Sequence, residues 1–267
     1  MRRRSKIPEI YVTLLLILMY LPILVVVVYS FNDTKLFSWE GFTFSWYQKL
    51  LHNRNIITAF FNSLELAALS SLSASVLGTV GAVGIAGRHF RGRGALENFS
   101  LIPIMVPEII LGMAYLAFFS FLRLPFGMLT LVLAHTTFCV PYIFINVKAR
   151  LAGLDPAIGE AARDLGASAP RAFFDITLPL IAPSILSGAL LAFAMSMDDV
   201  IISVFVTGVD TNTLPVKIYS QLKTGVTPEI NALCTLLFLA TLLLCGLAAL
   251  VGRTPKKQDS GKDVTER

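Results

Sequence analysis

The stretch EAARDLGASAPRAFFDITLP, Glu160 to Pro179, is a polar segment set between long apolar runs. Just before it, Asp155-Pro156 is a helix-start signal: an aspartate N-cap contributes roughly 1 kcal/mol, and proline suits the first helical position, where no amide hydrogen is needed. The spacing predicts a short helix from there to about Leu165. Gly166 then permits a left-handed backbone and a stop, and Ser168 is placed to cap a second short helix with Pro170 in its first turn. Ala161 and Ala162 leave the helix backbone open to the surface of another protein, while Glu160 offers a carboxylate that fixes register. The segment reads as a docking loop, the alternative being an ordinary amphipathic surface loop.

What flanks the loop decides the fold class. Of 267 residues, 55% are hydrophobic and 15% charged, and the mean hydropathy is +0.72, a composition that excludes an ordinary soluble domain. A bilayer requires about 20 apolar residues per helix. The expectation is an all-α polytopic membrane protein with six spans at about 10–30, 62–87, 98–122, 124–147, 181–206 and 230–252. A single transmembrane domain then covers 1–253, with the docking loop at 148–180 and a polar, disordered tail at 254–267. The third span is interrupted by Glu108, and Pro103 and Pro107 predict a kinked or locally unwound helix there. The start, MRRRSK before an apolar run longer than a signal-peptide core, reads as an uncleaved first span.

Charge orients this arrangement. With both termini in the cytoplasm, 16 of the 22 lysines and arginines fall on the cytoplasmic side, as the positive-inside rule requires. The docking loop is then cytoplasmic. The net charge of +5 is mostly this topology signal, with some affinity for anionic lipid. Between spans one and two, Trp39, Phe42, Phe44, Trp46 and Tyr47 read as an interfacial aromatic belt. Trp46 has a second reading, at the mouth of a pathway, where its ring face suits a cation. Thr207 to Pro228 predicts a partly inserted outer helix.

Acids inside spans carry the chemistry. Glu108 and the pair Asp198-Asp199, close after Ser196, each face a cost of about 2.5 to 3.5 kcal/mol near a bilayer centre, so such residues turn to a cavity or a partner. Successive helical residues differ by about 100 degrees, so one of the pair is expected to face a pathway and the other a neighbouring subunit. A structural pair at a helix end is the alternative. His135, inside the fourth span, reads as satisfying a backbone group or a neighbouring helix. The three histidines form no metal pattern, and Cys139, Cys234 and Cys245 lack ligand or paired spacing and read as packing residues. The chain has no G-x-x-x-x-G-K-[ST] phosphate loop. It carries no cofactor of its own on this reading.

Glu160-Ala161-Ala162, then Gly166, then Ile176-x-Leu178-Pro179 match the EAA loop of bacterial ABC importer permeases at each anchor. With YSFN at 29–32, HTTFCVPY at 135–142, SMDDVIISVFVTG at 196–208, TLPVKIYS at 213–220 and PEINAL at 228–233, nearly the whole chain resembles the second permease subunit of the spermidine/putrescine ABC transporters. The resemblance implies the type I importer fold and residence in the bacterial inner membrane. It implies polyamine uptake with Asp198, Asp199, Ser196, Glu108 and Trp46 along the pathway, and coupling through Glu160, Ala161, Ala162, Gly166, Leu178 and Pro179. It also implies partners: a homologous permease, two copies of an ATP-binding subunit that hold ATP and Mg, and a periplasmic or lipid-anchored polyamine-binding protein. Other expectations are an importer for another small cation, or a proton-coupled secondary transporter, which would not need a docking loop.

Overall fold

A computed structural model describes residues 7–34, 38–86, 90–223 and 225–251. The basic start through Lys6, Arg88, His89 and the tail lie outside the described residues, as do the side chains of Glu160 and Cys245. Twelve α-helices account for most of what is described. They are α1 (Ile7–Tyr29), α2 (Ser45–His52), α3 (Arg54–Ile85), α4 (Arg93–Met105), α5 (Glu108–Phe121), α6 (Met128–Ala152), α7 (Pro156–Asp164), α8 (Ala169–Ala172), α9 (Leu178–Asp198), α10 (Ile201–Val206), α11 (Leu214–Leu222) and α12 (Pro228–Val251). Among the described residues the extended pairing is confined to one isolated bridge, Asn32 with Phe42.

Among the described residues, four helical stretches are long and apolar enough to cross a membrane, beginning at Glu9, Arg54, Met128 and Ala169. α4 and α5 together make a fifth, bent by 105°. The bend has a local cause. Proline disfavours the helical region for the residue before it, and Val106, ahead of Pro107, is extended at φ −85°, ψ 134°. α5 therefore restarts at Glu108, whose carboxylate lies in the first turn, where the helix dipole favours negative charge.

The chain divides into two compact units, Met1–His52 with Gly225–Arg267, and Asn53–Thr224. In the terminal unit α12 packs against α1 and α2. The buried Asn32 there organises the loop ahead of α2: its side chain donates to Ser38 O at 2.9 Å and accepts from Glu40 N at 3.2 Å.

The central unit is built on α3, α6 and α9, packed on one another around Leu66, Ala74, Ala134, Ile143, Phe144 and Ile181. Their directions follow from the register. Ser70, His135 and Ser196 meet at one level, and Gly78, Ile143 and Gly188 at another. α3 and α6 therefore run parallel, with α9 antiparallel to both. At the second level a Cβ on Gly78 would lie 2.9 Å from Ile143 Cβ, and one on Gly188 3.0 Å from Ile143 Cα. Two glycines thus grip one isoleucine from opposite helices, a close approach that substitutes for hydrophobic drive in lipid. The docking loop connects α6 to α9 and so lies at one end of this block, with Asp198 at the other.

Two spans differ from the sequence expectation. α3 begins at Arg54, ahead of the expected 62. The expected continuous span 181–206 is broken: α9 ends at Asp198, Asp199 is extended (φ −66°, ψ 126°), and α10 starts at Ile201.

Candidate functional site

The docking loop folds by local chemistry. Asp155 Oδ1 accepts from Ala157 N at 2.9 Å, with Pro156 opening α7. At the other end Gly166 has φ +84°. Its amide donates to Arg163 O at 2.9 Å while Ala167 N donates to Ala162 O at 3.0 Å, the paired bonds of a Schellman stop. Ser168 occupies the N-cap of α8 without a side-chain cap bond. Ala161 is exposed and Ala162 is buried. Leu165, at 90% exposure, together with Ile158 and Phe174 leaves apolar surface on a polar loop. Between α8 and α9, Phe173–Thr177 widens into a π turn. Pro179 has no amide hydrogen and its ring would meet the carbonyl of Asp175, so looser winding upstream relieves the clash. Leu178 is half-buried and Pro179 exposed at the start of α9. Arg150 Nε donates to Leu180 O at 3.1 Å, tying the end of α6 to α9.

At the opposite end, the break after Asp198 sends the two acids different ways. Asp199 is turned inward at 9% exposure. Its Oδ1 accepts from Ile202 N at 3.2 Å, and its Oδ2 accepts from Ser203 N and from Ser203 Oγ, both at 2.8 Å. These bonds satisfy the first amides of α10, the role acids take ahead of a helix. Asp198 is exposed. It lines a cavity of about 210 Å³ with Glu108, Phe138, Met195 and an edge of Asp199. Two carboxylates from separate breaks in the helices thus share one opening, beside an aromatic ring and a thioether. A second, polar cavity of about 340 Å³ lies between the start of α3 and the loop before α11, lined by Asn55, Thr58, Asn62, Asp210, Asn212 and Lys217.

Ser196 and Trp46 are not among the residues that line the cavity. Ser196 is 3% exposed, with its Oγ 2.8 Å from His135 Nδ1 and 3.0 Å from Ser70 Oγ. Trp46 belongs to the terminal unit. It is 6% exposed, its indole donates to Asn32 O at 2.8 Å, and Lys49 Nζ stands 4.3 Å from its ring centroid. The ring face that suits a cation is already met by one.

His135, expected to satisfy a neighbouring helix, is fully buried and reaches Ser196 on α9 and Ser203 on α10; what sequence reasoning missed is that its Nε2 also stands 3.4 Å from Asp199 Oδ2. A signal was present: a histidine and an acid pair in spans have few ways to avoid desolvation other than finding each other. Serine, histidine and aspartate here have the connectivity of a nucleophilic triad, but the Ser196 hydroxyl is enclosed and bound to Ser70, so no substrate carbonyl reaches it. No group of three or more metal-ligating side chains occurs among the described residues.

Long apolar helices, a polar helical loop with exposed apolar side chains at one end and an acid-lined cavity at the other are the architecture of a polytopic membrane permease. The chain belongs to the binding-protein-dependent transport system inner membrane component family, whose model matches residues 74–254. It is 40% identical over 236 residues to the spermidine/putrescine transport system permease protein PotC of Haemophilus influenzae, covering 88% of this chain and 92% of that one. It is 43% identical over 228 residues to the putrescine transport system permease protein PotI of Escherichia coli, covering 82% and 81%. Among solved structures, a bacterial ABC transporter that imports the acidic polysaccharide alginate aligns with TM-score 0.72 at 14% identity, over 95% of this chain and 99% of that one. The same type of transporter bound to an alginate-loaded periplasmic protein aligns with TM-score 0.71 at 17% identity, over 91% and 93%. The chain has the fold of the ABC importer permeases.

Proposed function

We propose that this protein is one permease subunit of an ATP-driven importer of polyamines across the bacterial inner membrane. The observation that carries the reading is the cavity shared by Glu108 and Asp198 in a chain whose relatives are spermidine and putrescine permeases. A polyamine loses strong hydration at each ammonium on leaving water. Two carboxylates at one opening offset that loss, and dispersed contacts still allow release. The neighbouring Phe138 ring offers a π face, at about 0.5 to 2 kcal/mol per ammonium.

The remaining parts follow from the same reading. Six spans, α12 being the sixth, leave both termini and the loop in the cytoplasm, as the distribution of lysine and arginine favours. The loop's exposed Ile158, Leu165 and Phe174 are suited to a groove on an ATP-binding subunit. Two copies of that subunit hold ATP and Mg, hydrolysis takes place there, and a homologous permease completes the translocation core. A polyamine-binding protein delivers substrate at the end of the central unit away from the loop.

Uptake of labelled spermidine and putrescine into proteoliposomes containing the assembled transporter tests the proposal. Uptake blocked by vanadate and insensitive to a protonophore is the expected result. Uptake collapsed by the protonophore, or equal uptake of a small cation lacking amines, overturns it.

A further inference from the structure

One buried network in the central unit is left over once the loop and the cavity are described. It joins α3, α6, α9 and α10 through Ser70, His135, Ser196, Ser203 and Asp199, each 9% exposed or less. Counting hydrogens decides how it is wired. Five side-chain contacts need one hydrogen each: Ser70 Oγ to Leu66 O at 2.7 Å, Ser196 Oγ with Ser70 Oγ at 3.0 Å, His135 Nδ1 with Ser196 Oγ at 2.8 Å, His135 Nε2 with Ser203 Oγ at 3.0 Å, and Ser203 Oγ to Asp199 Oδ2 at 2.8 Å. A serine hydroxyl has one hydrogen to give. Ser70 gives its hydrogen to Leu66, Ser196 to Ser70, and Ser203 to Asp199. The two remaining contacts then fall to the ring, and a ring with a hydrogen on each nitrogen satisfies both. A ring with one hydrogen leaves one contact unmade in a place closed to water.

The charges agree with this wiring. Among the described residues, His135 is the basic side chain within 4.0 Å of Asp199, at 3.4 Å from Nε2 to Oδ2. A ring protonated on both nitrogens balances the buried carboxylate beside it. The same ring holds α9 through Ser196 and α10 through Ser203, on either side of the break at Asp199–Val200.

We propose that His135 is a positioning residue: it bridges α9 and α10 and neutralises Asp199, which keeps the break in place and presents Asp198 as the open acid of the pair. Asp199 then serves the protein's own geometry, and cargo meets Asp198 and Glu108. The proposal rests on the transport reading for its consequence, while the geometry it asserts concerns this chain's own residues whatever the cargo is.

The test is a charge-balance rescue in the assembled transporter. His135→Gln keeps hydrogen-bonding groups but strands the Asp199 charge, so uptake should fall roughly ten-fold or more, in line with the cost of an unpaired buried charge. His135→Gln combined with Asp199→Asn removes both charges and should recover uptake to within about three-fold of wild type, with KM unchanged. A second readout does not depend on cargo. With Cys139, Cys234 and Cys245 replaced by alanine, Asp198→Cys should react readily with a cationic methanethiosulfonate. That rate should change several-fold with His135→Gln and return in the combined variant. If His135→Gln prevents assembly, recovered assembly in the combined variant supports the proposal equally. A His135→Gln protein indistinguishable from wild type, or a combined variant as impaired as the single one in both readouts, overturns it. Loss of polyamine selectivity with the labelling pattern intact would instead count against the proposed cargo alone.

Discussion

A single carboxylate can be tested without disturbing the frame that holds it. Asp198 is exposed on its cavity and stands outside the buried network, so Asp198→Asn should leave assembly and thermal stability unchanged. Polyamine uptake should fall about ten-fold, mainly through KM, because one screened ionic contact is worth on the order of 1 kcal/mol or somewhat more. Trp46 gives the contrast. Its indole donates to Asn32 O and it is covered by Lys49, so Trp46→Phe should cost about 1 kcal/mol of stability for the lost hydrogen bond, seen as a lower melting temperature in detergent, with KM for polyamine unchanged. A raised KM with intact stability would move Trp46 back to the pathway.

Among the elements, the docking loop makes the sharpest demand on sequence. Gly166 at φ +84° has no atom within 4 Å of a built Cβ, so steric crowding is absent and backbone strain alone opposes substitution. Gly166→Val should cost roughly 1–2 kcal/mol locally and reduce co-purification of the ATP-binding subunit while α3, α6 and α9 stay folded. Retained association at wild-type level would remove the loop from the coupling surface. This loop was legible in the sequence because each of its signals is local: Asp155 bonds an amide two residues on, and Gly166 closes a turn with its own neighbours. The bend at Glu108 was legible for the same reason, since Pro107 acts on Val106. The break after Asp198 was not. It depends on Asp199 reaching amides ahead of it while His135, more than 60 residues away in the chain, stands 3.4 Å from its carboxylate. A pattern read along one helix places two adjacent acids on a continuous spiral and contains nothing that would unwind it. Likewise, the reading of Trp46 as part of an interfacial belt or a pathway mouth came from its aromatic neighbours. Its burial arises from Asn32 and Lys49 folding onto it, which composition does not encode.

For the molecule as a whole, the charge distribution makes a direct prediction about topology. Cysteines placed at Ser38 and Ser168, in a protein otherwise free of cysteine, should label from opposite faces of the membrane, Ser38 from outside and Ser168 from the cytoplasm. An impermeant reagent reaching both from outside would place the two segments on one side and rule out the topology derived from the charges.

The grip of Gly78 and Gly188 on Ile143 also has a mechanical meaning. Side-chain gears that interlock this tightly do not slide, so α3, α6 and α9 turn together as one stiff rod, and flexing is left to the articulations at Val106–Pro107 and Asp199–Val200. α9 alone is 21 residues long, about 31 Å at 1.5 Å per residue. A tilt of about 10° at the loop end therefore sweeps the Asp198 end by about 5 Å, enough to open or shut the acid-lined cavity without any helix changing length. Spin labels at Leu72 on α3 and Leu190 on α9, both outward-facing, should accordingly keep one fixed separation through the ATP cycle, and a separation that changes with nucleotide would show that the gears slip.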